Sequence, residues 1–171
     1  MVKRVLALLV VLLFAIGAVG GCLNQTPPDL SGTWEGTLSR SANPTIPNFA
    51  NVTIEELTQD QNNQFSGTVK VTYNPNTDDQ VELNATIDPS ESSTNEWGAT
   101  IKASGIATSK IDVNYPNGSF SIEQEQTYTF TFTLPHLYAC RGESINELVG
   151  TYVLNAGNSA VDSGTVNLVK Q

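Results

Sequence analysis

Phe120-Ser121-Ile122-Glu123-Gln124-Glu125-Gln126-Thr127-Tyr128-Thr129-Phe130-Thr131-Phe132-Thr133-Leu134 is the stretch on which the fold turns. Phe120, Ile122, Tyr128, Phe130, Phe132 and Leu134 hold alternate positions, interrupted by Gln124 and Gln126. Ser121, Glu123, Glu125 and the threonines hold the others. A period of two, apolar against polar, marks a β-strand with one buried face. Fifteen residues at about 3.3 Å each run to roughly 50 Å, too far for one flat strand. The reading predicts a strand that coils around a barrel or bends near the glutamines.

Outward from this strand the same rhythm repeats. Upstream, Ile111, Val113 and Tyr115 alternate into Pro116-Asn117-Gly118, a hairpin signal. Before them come Trp97, Ala99, Ile101 and Ala103, with Gly105 as a bulge or bend. Val81, Leu83, Ala85 and Ile87 form another strand, and Phe65, Gly67, Val69, Val71 and Tyr73 another. Val52-Thr53-Ile54-Glu55 reads as a short strand, and Leu30 to Ser39 as the first. Downstream, residues 135–147 are irregular, with room for a short helical turn. Leu148 to Leu154 and Val166 with Leu168 close the series. No amphipathic helix emerges. The class is therefore all-β: an antiparallel up-and-down barrel of about 8–10 strands, with a two-sheet sandwich as the alternative.

The first thirty residues have a different character. Lys3 and Arg4 precede the apolar run Val5 to Ile16, which ends in small residues, Gly17-Ala18-Val19-Gly20-Gly21-Cys22. This is the layout of a secretory signal. Residues 5–19 sit near the low end of the roughly 17–25 needed for an uncleaved membrane helix. Val19-Gly20-Gly21-Cys22 resembles the lipobox of prokaryotic lipoproteins. That resemblance implies cleavage before Cys22 and a diacylglyceryl group, with fatty acids such as palmitate, on its thiol. Two acyl chains hold a protein on a membrane where one does not. The expected organisation is a signal peptide at 1–21, a lipidated tether at 22–29 and one barrel domain at 30–171. The seven residues after Cys22 reach at most about 25 Å. The expected location is the outer membrane or the outer face of the cytoplasmic membrane.

A second resemblance lies in the domain itself. Gly32-Thr33-Trp34 opens the first strand, Gly150-Thr151-Tyr152 echoes it, and Lys170 lies in the last strand. The arrangement resembles the lipocalin and avidin superfamily. There, a Gly-X-Trp begins the first strand, its Trp plugs one barrel end, and a basic side chain from the last strand stacks on it. Lys170 is the residue that matches this role.

Composition bounds the partners. All 17 acidic residues but only 6 of the 8 basic ones follow residue 21, a net charge of −11. Such a surface disfavours nucleic acid and anionic lipid as direct partners. With Cys22 given to lipid, Cys140 has no partner in the chain for a disulfide, and a buried thiol is the simplest reading. His136, the sole histidine, lies four residues before Cys140. Asn74, Asn76 and Asp78 have calcium-loop spacing, but Asp79 and Ala85 stand where Gly and Glu are required, so the segment reads as a turn. Glu123 and Glu125 read as solvated charges. Asn51, Asn84 and Asn117 match the N-glycosylation pattern. With no zinc spacing, phosphate loop or nucleophile elbow, no enzyme, metal or cofactor is expected.

Two functions remain. The first is a lipid-anchored barrel that binds a small, partly apolar ligand, with Trp34, Gln124, Gln126, Tyr128 and Tyr152 as candidate lining residues. The second is a protein-interaction module of the envelope, a protease inhibitor or assembly subunit, acting through its loops. Cys22→Ala should remove the lipid and move the protein from the membrane to the soluble fraction. Membrane retention with no acyl mass on residue 22 would overturn the lipobox reading.

Overall fold

The computed structural model describes residues 27–41, 50–76, 80–95, 98–115, 118–135 and 145–171, with the backbone alone for 109–115 and 118–122. The signal peptide, Cys22, Trp97, His136, Cys140 and most of the loops at 40–50 and 135–147 lie outside the described residues. Nine strands occur in those described: β1 (Gly32–Arg40), β2 (Ala50–Gln59), β3 (Phe65–Tyr73), β4 (Val81–Ile87), β5 (Ser93–Asn95), β6 (Gly98–Tyr115), β7 (Gly118–Pro135), β8 (Glu147–Ala156) and β9 (Ser159–Lys170). No helix occurs among the described residues.

The order β4-β3-β2-β1-β9-β8-β7-β6 closes through a pairing of β4 with β6. Every neighbouring pair is antiparallel. The chain is thus a closed, eight-stranded, up-and-down β-barrel, and the sandwich alternative falls. β5 continues the line of β4 along β6, after an excursion at residues 88–92. Ser92, 1% exposed, bridges that gap. Its hydroxyl accepts from the Lys102 N–H at 2.8 Å and donates to the Lys102 carbonyl at 3.1 Å. The side chain so takes the place of a ladder partner for the Lys102 N–H and shares the Lys102 carbonyl with the Asp88 N–H at 2.9 Å.

Each strand turns one set of alternate residues inward. Trp34 and Leu38, Val69 and Val71, Phe130 and Phe132, and Val166 and Leu168 are all buried, with polar neighbours outside. β2 is longer than the predicted four residues because its phase changes midway. Val52 and Ile54 face inward, then a bulge at Glu55–Thr58, with Glu56 at φ 51°, brings Leu57 inward. An extra residue flips the side-chain parity, so a strict period-two reading ends at the bulge.

β6 and β7 depart most from expectation. They pair continuously from Gly98↔Pro135 to Tyr115↔Gly118. Yet β7 pairs with β8 only from Tyr128 to Thr133, and β6 with β4 only at Ala103 and Ser104. The pairing shows how the length of the long strand is accommodated: only its C-terminal part belongs to the wall. Beyond Gly105 and Tyr128 the two strands leave the wall as a two-stranded arm of ten residue pairs, roughly 30 Å long.

The point of departure is a seam. Tyr128 is the direct partner of Gly105, and its phenol crosses that glycine to donate a hydrogen bond to the Asn84 carbonyl on β4. A Cβ at Gly105 would meet both the Asn84 carbonyl and the Tyr128 hydroxyl. Gly105→Ala should therefore cost about 1–3 kcal/mol through overpacking. Denaturant unfolding measures it, and an unchanged midpoint would show that the seam tolerates a methyl group.

Candidate functional site

The two barrel ends differ. At the base, where β1 begins, Leu30 and Ser31 fold across the opening. Leu30 N–H donates to Gln59 Oε1 at 3.0 Å, and Gln59 N–H to Ser31 Oγ at 3.2 Å. Trp34, fully buried, donates from Nε1 to the Leu30 carbonyl at 2.8 Å. Lys170 Nζ lies 5.5 Å from the Trp34 ring centroid. Trp34 and Lys170 thus occupy the relation that the lipocalin resemblance implies, and the base is sealed.

The interior above Trp34 is occupied by side chains. Phe65, Phe130, Phe132 and Tyr152 are at most 1% exposed. Phe130 and Phe132 have centroids 6.0 Å apart at 13°, and Tyr128 meets Phe130 edge-on at 5.9 Å and 80°. An eight-stranded barrel has an interior about wide enough for its own side chains or one small ligand. Four clefts lined by described residues open on the outer wall or the rim, and none of these four includes Trp34, Tyr128 or Tyr152.

At the mouth, Arg40, Tyr73, Tyr152 and Asp162 meet. Arg40 Nε donates to Asp162 Oδ1 at 2.8 Å, and the Tyr152 hydroxyl to Oδ2 at 3.0 Å. The Asp162 side chain is only 7% exposed, so both of its oxygens are engaged where water is scarce. The hydrogen bond to Asp162 raises the already high Arg40 value. Burial pushes both the Tyr152 and Tyr73 phenols well up, and the Asp162 charge adds to each. A shallow rim cleft of about 190 Å³ runs along Arg40, Asp162 and Ser163. Of these four, only Tyr152 is among the candidates the sequence marks. The cluster's signal was parity: Asp162 shares the inward phase of Val166 and Leu168, and Arg40 that of Trp34 and Leu38.

The five candidate lining residues separate. Trp34 closes the base, Tyr152 belongs to the mouth, and Tyr128 seals the seam. Gln124 and Gln126 are exposed on the arm, opposite Ser109 and Ala107. Their phase matches that of Phe130, but β8 reaches only to Tyr128, so no interior remains for them to line. Glu123 and Glu125 are exposed there too. Asn74 and Asn76 adopt φ of 47° and 65°, in keeping with a turn. Among the described residues no three His, Cys, Asp or Glu side chains gather as metal ligands.

Comparison with protein-family models, curated proteins and solved structures finds no match.

Phenols held above their usual value near pH 10 bind protons more tightly folded than unfolded. The stability they confer is present below about pH 10 and is lost as pH rises beyond it. Chemical denaturation at increasing pH should show this loss, and Tyr73→Phe with Tyr152→Phe should flatten it. An unchanged slope in the double variant would exclude these phenols as the source.

Proposed function

We propose that this chain is an exported, lipid-anchored envelope protein whose barrel is a rigid mount for a protein-docking arm. The observation that carries the reading is the arm itself. Ten residue pairs continue beyond Gly105 and Tyr128, and in the described residues neither outer edge of residues 106–115 or 118–126 pairs with another strand. A closed barrel removes sheet edges; this one restores two at its mouth. Such edges accept a further strand through main-chain hydrogen bonds. The arm also leaves from the end opposite Leu30, so a tether from Cys22 would meet the base and leave the arm clear of it.

The lipobox resemblance supports the anchor, and the acidic surface supports a body that stands off a negative bilayer. A second reading keeps the small, partly apolar ligand. Its support is the closed eight-stranded barrel with a polar rim at Arg40 and Asp162. The dense aromatic filling makes it the weaker of the two.

A photo-crosslinking residue at Ile106, 65% exposed at the arm's root, tests the proposal against one at Val169, 49% exposed on the wall. In native membranes, protein adducts should form from position 106 and not from 169. Absence of adducts at 106, with a small-molecule mass retained on the purified chain in native mass spectrometry, would favour the ligand reading.

A further inference from the structure

The arm's edges are not equivalent, and the difference points to an occupant. In the β6–β7 register, Ala107, Ser109, Ile111, Val113 and Tyr115 share one ribbon face with Phe120, Ile122, Gln124 and Gln126. Thr108, Lys110, Asp112 and Asn114 share the other with Ser119, Ser121, Glu123 and Glu125. The ribbon is therefore amphipathic towards its tip, while at its root Ala107 still packs against the barrel core.

Along the arm, the β7 edge carries Glu123 and Glu125 and no cation, whereas the β6 edge carries Lys110 and Asp112. We infer that the β6 edge of the arm pairs antiparallel with the β6 edge of a second copy of this chain, on a two-fold axis at Ile111. This rests on the docking role proposed above and names the partner.

The register follows from three constraints. A two-fold axis normal to the sheet keeps each face on its own side, so paired positions must share parity. Hydrogen bonding alternates along a hairpin from the pair that flanks a two-residue connection, here Tyr115↔Gly118. That leaves the outward N–H and C=O groups of β6 on the even-numbered residues. Of the registers this allows, the one centred on Ile111 sets Lys110 opposite Asp112 of the second copy, twice over. It also sets Thr108 opposite Asn114, and Val113 opposite Ser109, so both faces keep their character. A shift of one allowed step either way sets Lys110 opposite Lys110 or Asp112 opposite Asp112. Opposite charges directly across a pair stabilise it, and like charges destabilise it. The same edge of β7 paired with itself gathers four carboxylates with no cation from that strand to answer them.

Repulsion between two acidic bodies does not prevent this contact. Twelve residues separate Gly105 from its counterpart in this register, roughly 40 Å along the strands. That is several Debye lengths at physiological salt.

Sedimentation velocity of the detergent-extracted full chain tests the pairing. The wild type should self-associate, and Lys110→Asp should weaken association by on the order of tenfold or more. Lys110→Asp combined with Asp112→Lys should restore it. In a Cys140→Ser background, Ile111→Cys should form an oxidised dimer and Val113→Cys should not. Residues on the axis come within disulfide reach, and position 113 lies four residues from its own counterpart. A monomer at every concentration, or a charge swap that fails to restore association, would overturn the pairing. If position 106 still crosslinks to another protein, the docking role survives without it; if it does not, both fall.

Discussion

Two ladder pairs, Thr86↔Ser104 and Ile87↔Ala103, are all that join β4 to β6, and the barrel depends on them. The other strand pairs that make up its wall have six or more. Such a short closure holds because side chains extend it in both directions. Above, the Tyr128 phenol spans Gly105 to the Asn84 carbonyl. Below, the Ser92 hydroxyl takes both backbone groups of Lys102. The Asp88 N–H adds a backbone bond to the same Lys102 carbonyl at 2.9 Å, so the seam is carried past its two ladder pairs by both backbone and side chains.

That short seam also explains the arm. A strand that stayed paired to β4 along its length would keep curling with the wall. Released at Gly105, β6 carries β7 away with it, and the two continue as a ribbon. Isolated two-stranded ribbons are marginal in water. This one is rooted in a barrel through Gly98–Gly105 and Tyr128–Pro135, which supplies the stability that ten pairs lack by themselves.

The barrel's two ends divide the polar work. The base uses neutral hydrogen bonds, with Gln59 holding the entering chain and Trp34 bonded to Leu30 beneath the Lys170 ammonium, and among the described residues no carboxylate is buried there. The mouth uses charge. Asp162 draws together Arg40 from β1 and Tyr152 from β8. Truncating either partner there would leave a partly desolvated carboxylate short of a bond. The solvent-facing pairs Lys70–Glu82, between β3 and β4, and Lys102–Glu91, between β6 and the 88–92 turn, contribute little by comparison.

The alternation from Tyr128 to Leu134 was enough to make the chain all-β, because period two with one apolar face has no helical solution. The up-and-down order followed from short turns between strands, and the lipocalin resemblance implied the Trp34–Lys170 contact. Parity alone also marked Gln124 and Gln126 as sharing the face of Phe130. What a one-dimensional pattern does not hold is where a neighbour stops. β8 ends at Ala156 and β4 lets go at Ser104, so a single alternating strand is wall on one side of Tyr128 and free ribbon on the other. The bulge at Glu56 and the meeting of Arg40 with Asp162, 122 residues apart, were hidden for the same reason. Each depends on the offset between strands, which is set by closing the sheet on itself, not by the order of residues within any one strand.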